Sequence, residues 1–362
     1  MSTPKKTPDT TANLLAEKTE RLKIAELDLK RLQKEVLDAR IIRREIFKLA
    51  EAQPDLPGWT KAAEKGSLKG PGCPIAFASD WHWGENIVPD QIGGVNEYTM
   101  EIAHARAKRF FQRIVALLKN HMVRPEYPGI VLCLGGDMLS GNIHQELAET
   151  NEIGVMPAML DLFGVMVEGI DLLVKEFGRV TLPCVSGNHA RNTLKMQSKE
   201  RCHTNFDWLL CQILEKHYEK NKSVEFAISN GVDKRFQVFG HTFLLSHGDT
   251  MGKGGDGIIG CLGPIIRGDQ KTRARNGQIG QPYDTLLIGH YHQLMWIGKK
   301  VISNGSLCGY NEFASNTLRA PFEVPQQALF CVHPEHGITY QMPILVEPTK
   351  VNKNTKWVSW EE

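Results

Sequence analysis

From residue 74 onward, short apolar segments alternate with longer amphipathic segments, and this alternation is the strongest constraint on the fold. The apolar segments have the length of buried strands, and the amphipathic segments have the spacing of helices. From about residue 223 strand-like segments dominate, including a predicted hairpin over "RFQVFG" and "HTFLLSHGD". This order predicts an α/β fold, namely a layered sandwich of two mixed β-sheets flanked by helices. The first-half strands are predicted at 74–80, 129–137 and 180–189, and the helices at 95–122, 156–178 and 206–220.

The N-terminal region has a different pattern. Leu15, Leu22, Leu29 and Val36 recur every seven residues among charged residues, which predicts a coiled-coil-like helix over 13–52. A single long helix packed on the main domain remains an open alternative. The predicted domains are a disordered segment at 1–12, the helix at 13–52, a linker rich in Pro, Gly and Lys at 53–72, the main domain at 73–346 and a tail at 347–362.

The composition is that of an ordinary globular chain. The 362 residues include 41% hydrophobic residues and carry a formal net charge of +2, which neither demands nor excludes a nucleic-acid partner. No apolar run is long enough to span a membrane, and the N-terminus lacks the apolar core of a secretory signal. The eight cysteines form no CxxC pair, which favours reduced thiols over disulfides. We therefore expect a cytoplasmic protein without a membrane segment.

Asp, Asn and His residues, whose side chains are of the types that bind metals, follow five of the predicted strands. Because loops that leave the carboxyl ends of strands gather on one edge of such a sheet, these residues are expected to meet there. One such residue is a weak signal, since a strand-end Asp is usually a turn former. The joint pattern is far more specific. Its members are Asp80 and His82 in "FASDWHWGE", Asp137 in "LCLGGDMLSGN", Asn188 and His189 in "CVSGNHAR", His247 in "LLSHGD", and His290 and His292 in "LIGHYH".

The ordered motifs D-x-H, G-D, G-N-H, H-G and G-H-x-H resemble the calcineurin-like metallophosphoesterase superfamily over about residues 74–310. The resemblance implies a site with two metal ions and Asp137 as the bridging ligand. One ion would be held by Asp80, His82, Asp137 and His292, and the other by Asp137, Asn188, His247 and His290. In this scheme Asp137 and His189 are the catalytic residues, with His189 contacting the substrate.

The chemistry of phosphate ester hydrolysis suits this set of residues. Two divalent ions about 3.5–4 Å apart make a bridging water acidic enough to act as hydroxide, and they neutralise the phosphoryl oxygens. Mixed Asp, Asn and His ligands suit Mn, Fe or Zn better than Ca or Mg, and we expect Mn. His189 is placed to donate a proton to the leaving group. His290 and His292 are expected to alternate along an extended strand end, so that both face one side and Tyr291 points away.

One departure from the family pattern affects the support of His189. Many members carry an Asp or Asn three residues after the bridging Asp, and protein phosphatases carry an Arg soon after it. Here Ser140 and Asn142 follow Asp137, and no Arg does, which weakens the interpretation as a protein phosphatase. Either Ser140 or Asn142 remains open as a substitute.

The sequence is less informative about the substrate. "RGDQKTRAR" (267–275) is expected to be a basic loop that suits a polyanion. Trp81 and Trp83 either stack on a base or pack beneath the ligands. The heptad helix at 13–52 is expected to pair protomers, an arrangement that resembles SbcD-type nucleases. The candidate substrate contacts are Asn142, Arg191, Lys271, Arg273 and Arg275.

These features favour a Mn-dependent DNA nuclease or phosphodiesterase. A phosphatase or a cyclic-nucleotide phosphodiesterase acting on a small substrate is the first alternative. A coiled-coil scaffold with a vestigial site is the second.

Overall fold

The computed structural model describes residues 17–30, 70–122, 125–252 and 260–348. The chain divides into two compact units, residues 1–52 and 53–362. In the first unit the described residues, 17–30, form a helix, α1. The rest of the predicted helix, the predicted segments 1–12 and 53–69, and residues 349–362 of the predicted tail lie outside the described residues. None of the described helices is both long and apolar enough to cross a membrane.

The second unit contains two mixed sheets, as predicted. The first has the strand order β11-β10-β1-β2-β3-β4, and the second has the order β5-β6-β7-β9-β8. The strands are β1 (Cys73–Ala78), β2 (Ile130–Leu134), β3 (Val180–Cys184), β4 (Val224–Ile228), β5 (Asp233–Val238), β6 (His241–Ser246), β7 (Thr285–Ile288), β8 (Met295–Ile297), β9 (Val301–Ser303), β10 (Gln326–His333) and β11 (Gly337–Leu345).

Strand direction decides where the strand ends lie. In the first sheet β1 to β4 run parallel, while β10 and β11 form an antiparallel hairpin that pairs with β1. In the second sheet β6, β7 and β9 run parallel, with β5 and β8 antiparallel at the two edges. The predicted hairpin β5–β6 is confirmed, and β10 and β11 form another one. Within each sheet, the strands that precede the predicted ligands end at the same edge.

The two sheets pack face to face around one apolar core. Because successive strand residues point to opposite faces, alternate residues of each strand enter the core. β1 contributes Ile75 and Phe77, β6 contributes Phe243 and Leu245, and β10 contributes Phe330, all fully buried. This core fixes the register of the strands and therefore the places where they end.

Helices cover the outer faces of the sandwich. After α1 they are α2 (Met100–Val115), α3 (Gln145–Thr150), α4 (Val155–Phe177), α5 (Phe206–His217) and α6 (Leu262–Gln278). α4 packs against α2, α5 and β3, and Ile265 of α6 packs on the outer face of β6 and β7. α2 begins five residues later than predicted, because Thr99 accepts the N–H of Ile102 as its N-cap.

The prediction of a loop over 267–275 is wrong, because these residues lie within α6. The Arg273 guanidinium donates to Asp269 one turn earlier, at 2.7 Å, and to the carbonyl oxygens of Tyr283, Asp284 and Lys300. The charged residues that resembled a mobile basic loop therefore include both partners of an i,i+4 pair, which stabilises a helix. Residues 253–259 of the preceding glycine-rich stretch lie outside the described residues.

Candidate metal centre

The predicted ligands follow strands β1, β2, β3, β6 and β7, and the structure brings them together. Asp80 and His82 follow β1, and Asp137 follows β2. These three side chains are at most 2% exposed, and His247 after β6 is fully buried. Charged and polar groups are rarely so buried unless they are paired or bind a metal.

Several of these residues have an unusual backbone conformation. Among the described residues, eight non-glycine residues have φ in the left-handed region, which L-amino acids seldom adopt. Five of the eight are predicted ligands, and such a conformation costs about 1–3 kcal/mol per residue, so the surrounding structure must impose it. The extended strand end predicted for His290 and His292 is therefore wrong, because the strand stops at Ile288 and both residues are left-handed. The φ values are 56° at Asp80, 46° at His82, 49° at Asp137, 69° at His290 and 54° at His292.

Hydrogen bonds between the strand-end loops impose this conformation. The backbone N–H of Asp80 donates to the carbonyl oxygen of Gly136 at 3.0 Å, and the backbone N–H of His82 donates to the carbonyl oxygen of Asp137 at 3.1 Å. The N–H of His290 donates to the Asp80 carboxylate at 2.9 Å. Each loop therefore holds its neighbour in place, and the positions of the side chains depend on all of them.

One cluster of donor atoms forms around the Asp137 carboxylate. The Nε2 atom of His247 lies 3.0 Å from Oδ2 of Asp137 and 3.1 Å from Oδ1 of Asn188. Nδ1 of His247 donates to the carbonyl oxygen of Gly135 at 2.9 Å, which leaves Nε2 to face the carboxylate. Donor atoms of Asp137, His247 and His290 all lie within 4.8 Å of one another. This cluster contains the residues expected around one ion.

A second cluster lies on the other side of Asp137. Nε2 of His82 is 3.1 Å from Nε2 of His292, which is itself 3.4 Å from Oδ1 of Asp80. Donor atoms of His82, Asp137 and His189 lie within 4.8 Å of one another. Asp137 thus belongs to both clusters, which is the place that a bridging carboxylate takes.

Protons compensate the buried negative charge when no cation is present. Burial opposes charge on His247, but attraction to Asp137 outweighs burial and raises the pKa of His247 to about 10. Burial likewise opposes charge on His292, yet its hydrogen bond to Asp80 raises the pKa of this ring well above the ordinary value. Burial would raise the pKa of Asp137, but His247 outweighs it and lowers that pKa well below the ordinary value. Buried carboxylates need positive partners, which divalent cations would also supply.

The donor atoms fit transition-metal ions. Nδ1 of His82 is buried without a hydrogen-bond partner and lies 3.5 Å from Oε2 of Glu85, which also lacks one. Burial raises the pKa of Glu85 to about 7. Together with the two clusters, this gives a buried set of imidazole and carboxylate groups around Asp137, and such mixed ligands suit Mn, Fe or Zn. Sequence reasoning missed Glu85, although it stands three residues after His82.

His189 is held at both its backbone and its ring. Its N–H donates to Oδ1 of Asp137 at 2.7 Å, and Nδ1 lies 3.2 Å from the backbone carbonyl oxygen of Ser140. A carbonyl only accepts, so Nδ1 carries a proton and Nε2 is the nitrogen left for a substrate. Burial lowers the pKa of His189, against the attraction of Asp137. The question left open between Ser140 and Asn142 is thus answered by the Ser140 main chain, while Asn142 is exposed.

Asp207 is a buried carboxylate that sequence reasoning missed. Its Oδ2 accepts the backbone N–H of Asp137 at 2.9 Å and that of Gly187 at 3.0 Å. Burial raises the pKa of Asp207 to about 7. It lies in the first turn of α5, after the N-cap Asn205, where an acidic residue ordinarily serves the helix dipole. Its local sequence therefore gives no sign that it fixes the loop carrying the bridging carboxylate.

The candidate substrate contacts differ in their surroundings. Arg191 lies next to the site and donates to the carbonyl oxygens of Asn188 at 2.8 Å and Thr193 at 3.1 Å. Arg275 of α6 pairs with Asp233 at 2.6 Å, whereas Lys271 is exposed on the same helix.

The two tryptophans beside His82 are core residues. Both are fully buried, and their rings lie 6.2 Å apart between centroids. Nε1 of Trp81 donates to Gln327, and Nε1 of Trp83 donates to Asp161. Their aromatic faces pack beneath the ligands, so they are not available to stack on a base.

No family model matches the chain, and no curated protein matches it either. Solved structures that are similar to it include the following two. The Thermus thermophilus sulfate thiohydrolase SoxB, in complex with glycerol, is 10% identical over 81% of this chain and 58% of that one, with a TM-score of 0.31. A putative 5'-nucleotidase from Staphylococcus aureus, in complex with alpha-ketoglutarate, is 11% identical over 78% of this chain and 56% of that one, with a TM-score of 0.33. The chain spans less than two thirds of either protein, and likeness of this size assigns no function.

Proposed function

We propose that this protein is a metal-dependent phosphoesterase with a two-ion centre and that it hydrolyses phosphodiester bonds in DNA. The observation that carries the proposal is the convergence of ligand-type side chains from five strand ends on one buried carboxylate, Asp137. Donor atoms of Asp137 lie within 4.8 Å of those of His247 and His290 in one cluster, and of those of His82 and His189 in the other. A purely structural role would not call for so many buried titratable groups in strained backbone.

The ligand assignment follows the two clusters. Asp80, His82, Asp137 and His292 would hold one ion, and Asp137, Asn188, His247 and His290 would hold the other. When bound, the ions supply an acidic water and neutralise charge on the phosphoryl oxygens. Mn is the metal that we propose for activity, since carboxylate and imidazole ligands both suit it.

The protein itself would position the substrate and move the proton of the leaving group. With Nδ1 bonded to the Ser140 carbonyl, the His189 ring is held with Nε2 facing the site. As an imidazolium, His189 would give the Nε2 proton to the departing alkoxide. The Arg191 guanidinium donates to main-chain carbonyls beside Asn188, so it brings positive charge to the edge of the site without a carboxylate partner in those bonds.

A cationic surface beside the site supports a polyanionic substrate. The loop after Asn188 carries Lys195 and Lys199, both exposed, and Arg191 lines a pocket that also includes Asn188. Arg201 lines the same pocket but is paired with Asp249. A phosphate backbone gains affinity from such groups without base-specific contacts, and the affinity falls as salt rises. A small anionic substrate would use the pocket but not the exposed lysines.

The reaction class is tested with bis(p-nitrophenyl) phosphate and added Mn²⁺. We expect turnover by the wild type and a loss of roughly a hundredfold or more in Asp137→Ala and His247→Ala, the size of effect seen when one stabilising group is removed. Asp90→Ala and His121→Ala, which change exposed residues of the same types, serve as controls. Normal turnover by the site variants would remove the assignment.

The substrate is tested with labelled single- and double-stranded DNA beside cyclic nucleotides, a mononucleotide and a phosphopeptide. We expect cleavage of DNA that weakens steeply with salt and is absent in Asp137→Ala. Turnover of only the small substrates would favour a phosphatase or a cyclic-nucleotide phosphodiesterase instead.

A further inference from the structure

Cys308 lies at the same edge as the predicted ligands. It follows β9, which runs parallel to β7, in the stretch "SNGSLC". Its sulfur and ring nitrogens of His82 and His292 lie within 4.8 Å of one another. The side chain is fully buried, and its thiol also donates to the carbonyl oxygen of Gly309 at 3.7 Å.

The main chain around Cys308 is held rigidly. The N–H of Leu307 donates to the Asp80 carbonyl oxygen at 3.1 Å. The Arg106 guanidinium donates to the carbonyl oxygens of Leu307 at 3.0 Å and Cys308 at 2.7 Å, and Asn96 donates to the latter at 2.9 Å. The main chain of Leu307 and Cys308 is therefore held beside the loop that carries Asp80, which places the Cys308 side chain near His292.

The other cysteines have different surroundings. All eight lie within the described residues and none is in a disulfide, but only Cys308 belongs to a group of metal-ligand type. Cys73, Cys133 and Cys331 lie in the apolar interior of the first sheet, and burial raises the pKa of each of these thiols. Burial of a cysteine is thus ordinary in this protein, whereas its placement against two imidazoles occurs once among the described residues.

The nitrogens that face Cys308 also point to a cation. Nε2 of His82 and Nε2 of His292 lie 3.1 Å apart, while Nδ1 of His82 lies on the other side of its ring, 3.5 Å from Oε2 of Glu85. Two imidazole nitrogens and a thiol lie together in one buried space, and Oδ1 of Asp80 lies 3.4 Å from Nε2 of His292. These donor types are typical of a transition-metal site.

We propose that Cys308 is a further protein ligand of the ion held by Asp80, His82, Asp137 and His292, an inference that rests on the proposed function. On coordination the sulfur–metal bond forms and the thiol proton leaves to solvent. A thiolate is a soft ligand that favours Zn, Fe or Co over Mn. The two positions of the centre therefore differ in chemistry, and the one with Cys308 takes the more thiophilic ion.

The test uses the full-length protein, stripped of metal and titrated with cobalt(II) chloride, followed by absorption spectroscopy. We expect visible d–d bands together with a near-ultraviolet sulfur-to-cobalt charge-transfer band. Cys308→Ala should lose the near-ultraviolet band and keep visible bands, while the matched variant Cys331→Ala should keep both. With zinc and manganese supplied together, the bound zinc-to-manganese ratio should fall in Cys308→Ala and not in Cys331→Ala.

The outcomes separate this inference from the proposed function. Visible bands in the wild type without the near-ultraviolet band would overturn the cysteine ligand and leave the metal centre standing. Retention of the near-ultraviolet band by Cys308→Ala would overturn the cysteine ligand in the same way. Absence of all cobalt bands in the wild type would overturn both proposals. The wild-type spectrum alone can overturn the cysteine ligand. The inference therefore stays testable even if Cys308→Ala fails to fold.

Discussion

His189 and Asp207 illustrate how single residues act at this site through the Asp137 loop. The N–H of His189 donates to the Asp137 carboxylate, and the Asp207 carboxylate accepts the N–H of Asp137. Asp137 is therefore fixed at its side chain by one neighbour and at its main chain by the other. Each neighbour has a different expected effect, because only His189 faces the substrate.

Replacing His189 by alanine should slow hydrolysis according to the leaving group. General acid catalysis is worth roughly 10²–10⁴-fold for a poor leaving group, and much less for p-nitrophenolate, which departs without a proton. The check is the ratio of rates for phenyl and p-nitrophenyl phosphodiesters, together with the metal content, which should not change. His144→Ala is the control, since this exposed ring lies 6.1 Å from His189 between centroids. Equal slowing of both esters would deny His189 the role of acid.

Replacing Asp207 by alanine should destabilise the protein and misplace Asp137. The change leaves the buried N–H groups of Asp137 and Gly187 without an acceptor, and one such group costs about 1–3 kcal/mol. Asp207→Asn keeps one carbonyl oxygen as acceptor, so its free energy of unfolding should fall by less than that of Asp207→Ala. Urea unfolding measures the free energy, and cobalt titration measures ion affinity. If Ala and Asn variants both matched the wild type, Asp207 would have no supporting role.

At the scale of elements, the site exists because strand ends are packed against one another. Gly187, after β3, lies where its Cα faces the Asp137 carboxylate, so that a Cβ would overlap Oδ1 and the backbone nitrogen of Asp137. The close approach allows Asp207 to bond both loops at once. A glycine is required there by the approach of another chain segment, and its own φ is not in the left-handed region.

Gly187→Ala should therefore displace the Asp137 carboxylate and reduce both ion affinity and turnover. The matched control is Gly164→Ala on the exposed face of α4, where a Cβ meets nothing within 4 Å. That control should stabilise the protein by about 0.5–1 kcal/mol, because alanine loses less backbone entropy than glycine in a helix. Thermal unfolding and cobalt titration of the two variants give the comparison. If Gly187→Ala kept the ion affinity of the wild type, the loops that carry Gly187 and Asp137 could move apart without weakening ion binding.

At the scale of the whole molecule, two compact units share one chain. The unit of residues 53–362 carries the candidate site, and the other holds α1, in which Leu22 and Leu29 are 62% and 55% exposed. Their seven-residue spacing fits the seam of a coiled coil. We propose that residues 13–52 join protomers, as the heptad pattern predicts.

Deletion of residues 13–52 should convert an oligomer into a monomer. Light scattering should give a multiple of 40.6 kDa for the wild type and the mass of a single chain for the deletion. The double variant Leu22→Glu and Leu29→Glu should also lower the measured mass, since like charges at the seam repel. The control Lys23→Glu, at an exposed position off the seam, should leave the mass unchanged. An unchanged mass in the deletion would refute self-association through this segment.

The motifs alone determined which residue types follow each strand, because a strand is recognised from its apolar run and its end from the first Gly, Asp or His. They also determined the two-sheet class, since the order of strands and helices is local information. Only the tertiary structure decided how these strand ends meet. It set the left-handed backbone of His290 and His292, and it placed the Ser140 carbonyl oxygen beside the His189 ring. It also brought Asp207 and Cys308 to the site. The helical state of 267–275 is different, because the Asp269–Arg273 pair one turn apart is a local signal of a helix. The contacts at the site join segments remote in sequence, and no local pattern encodes them.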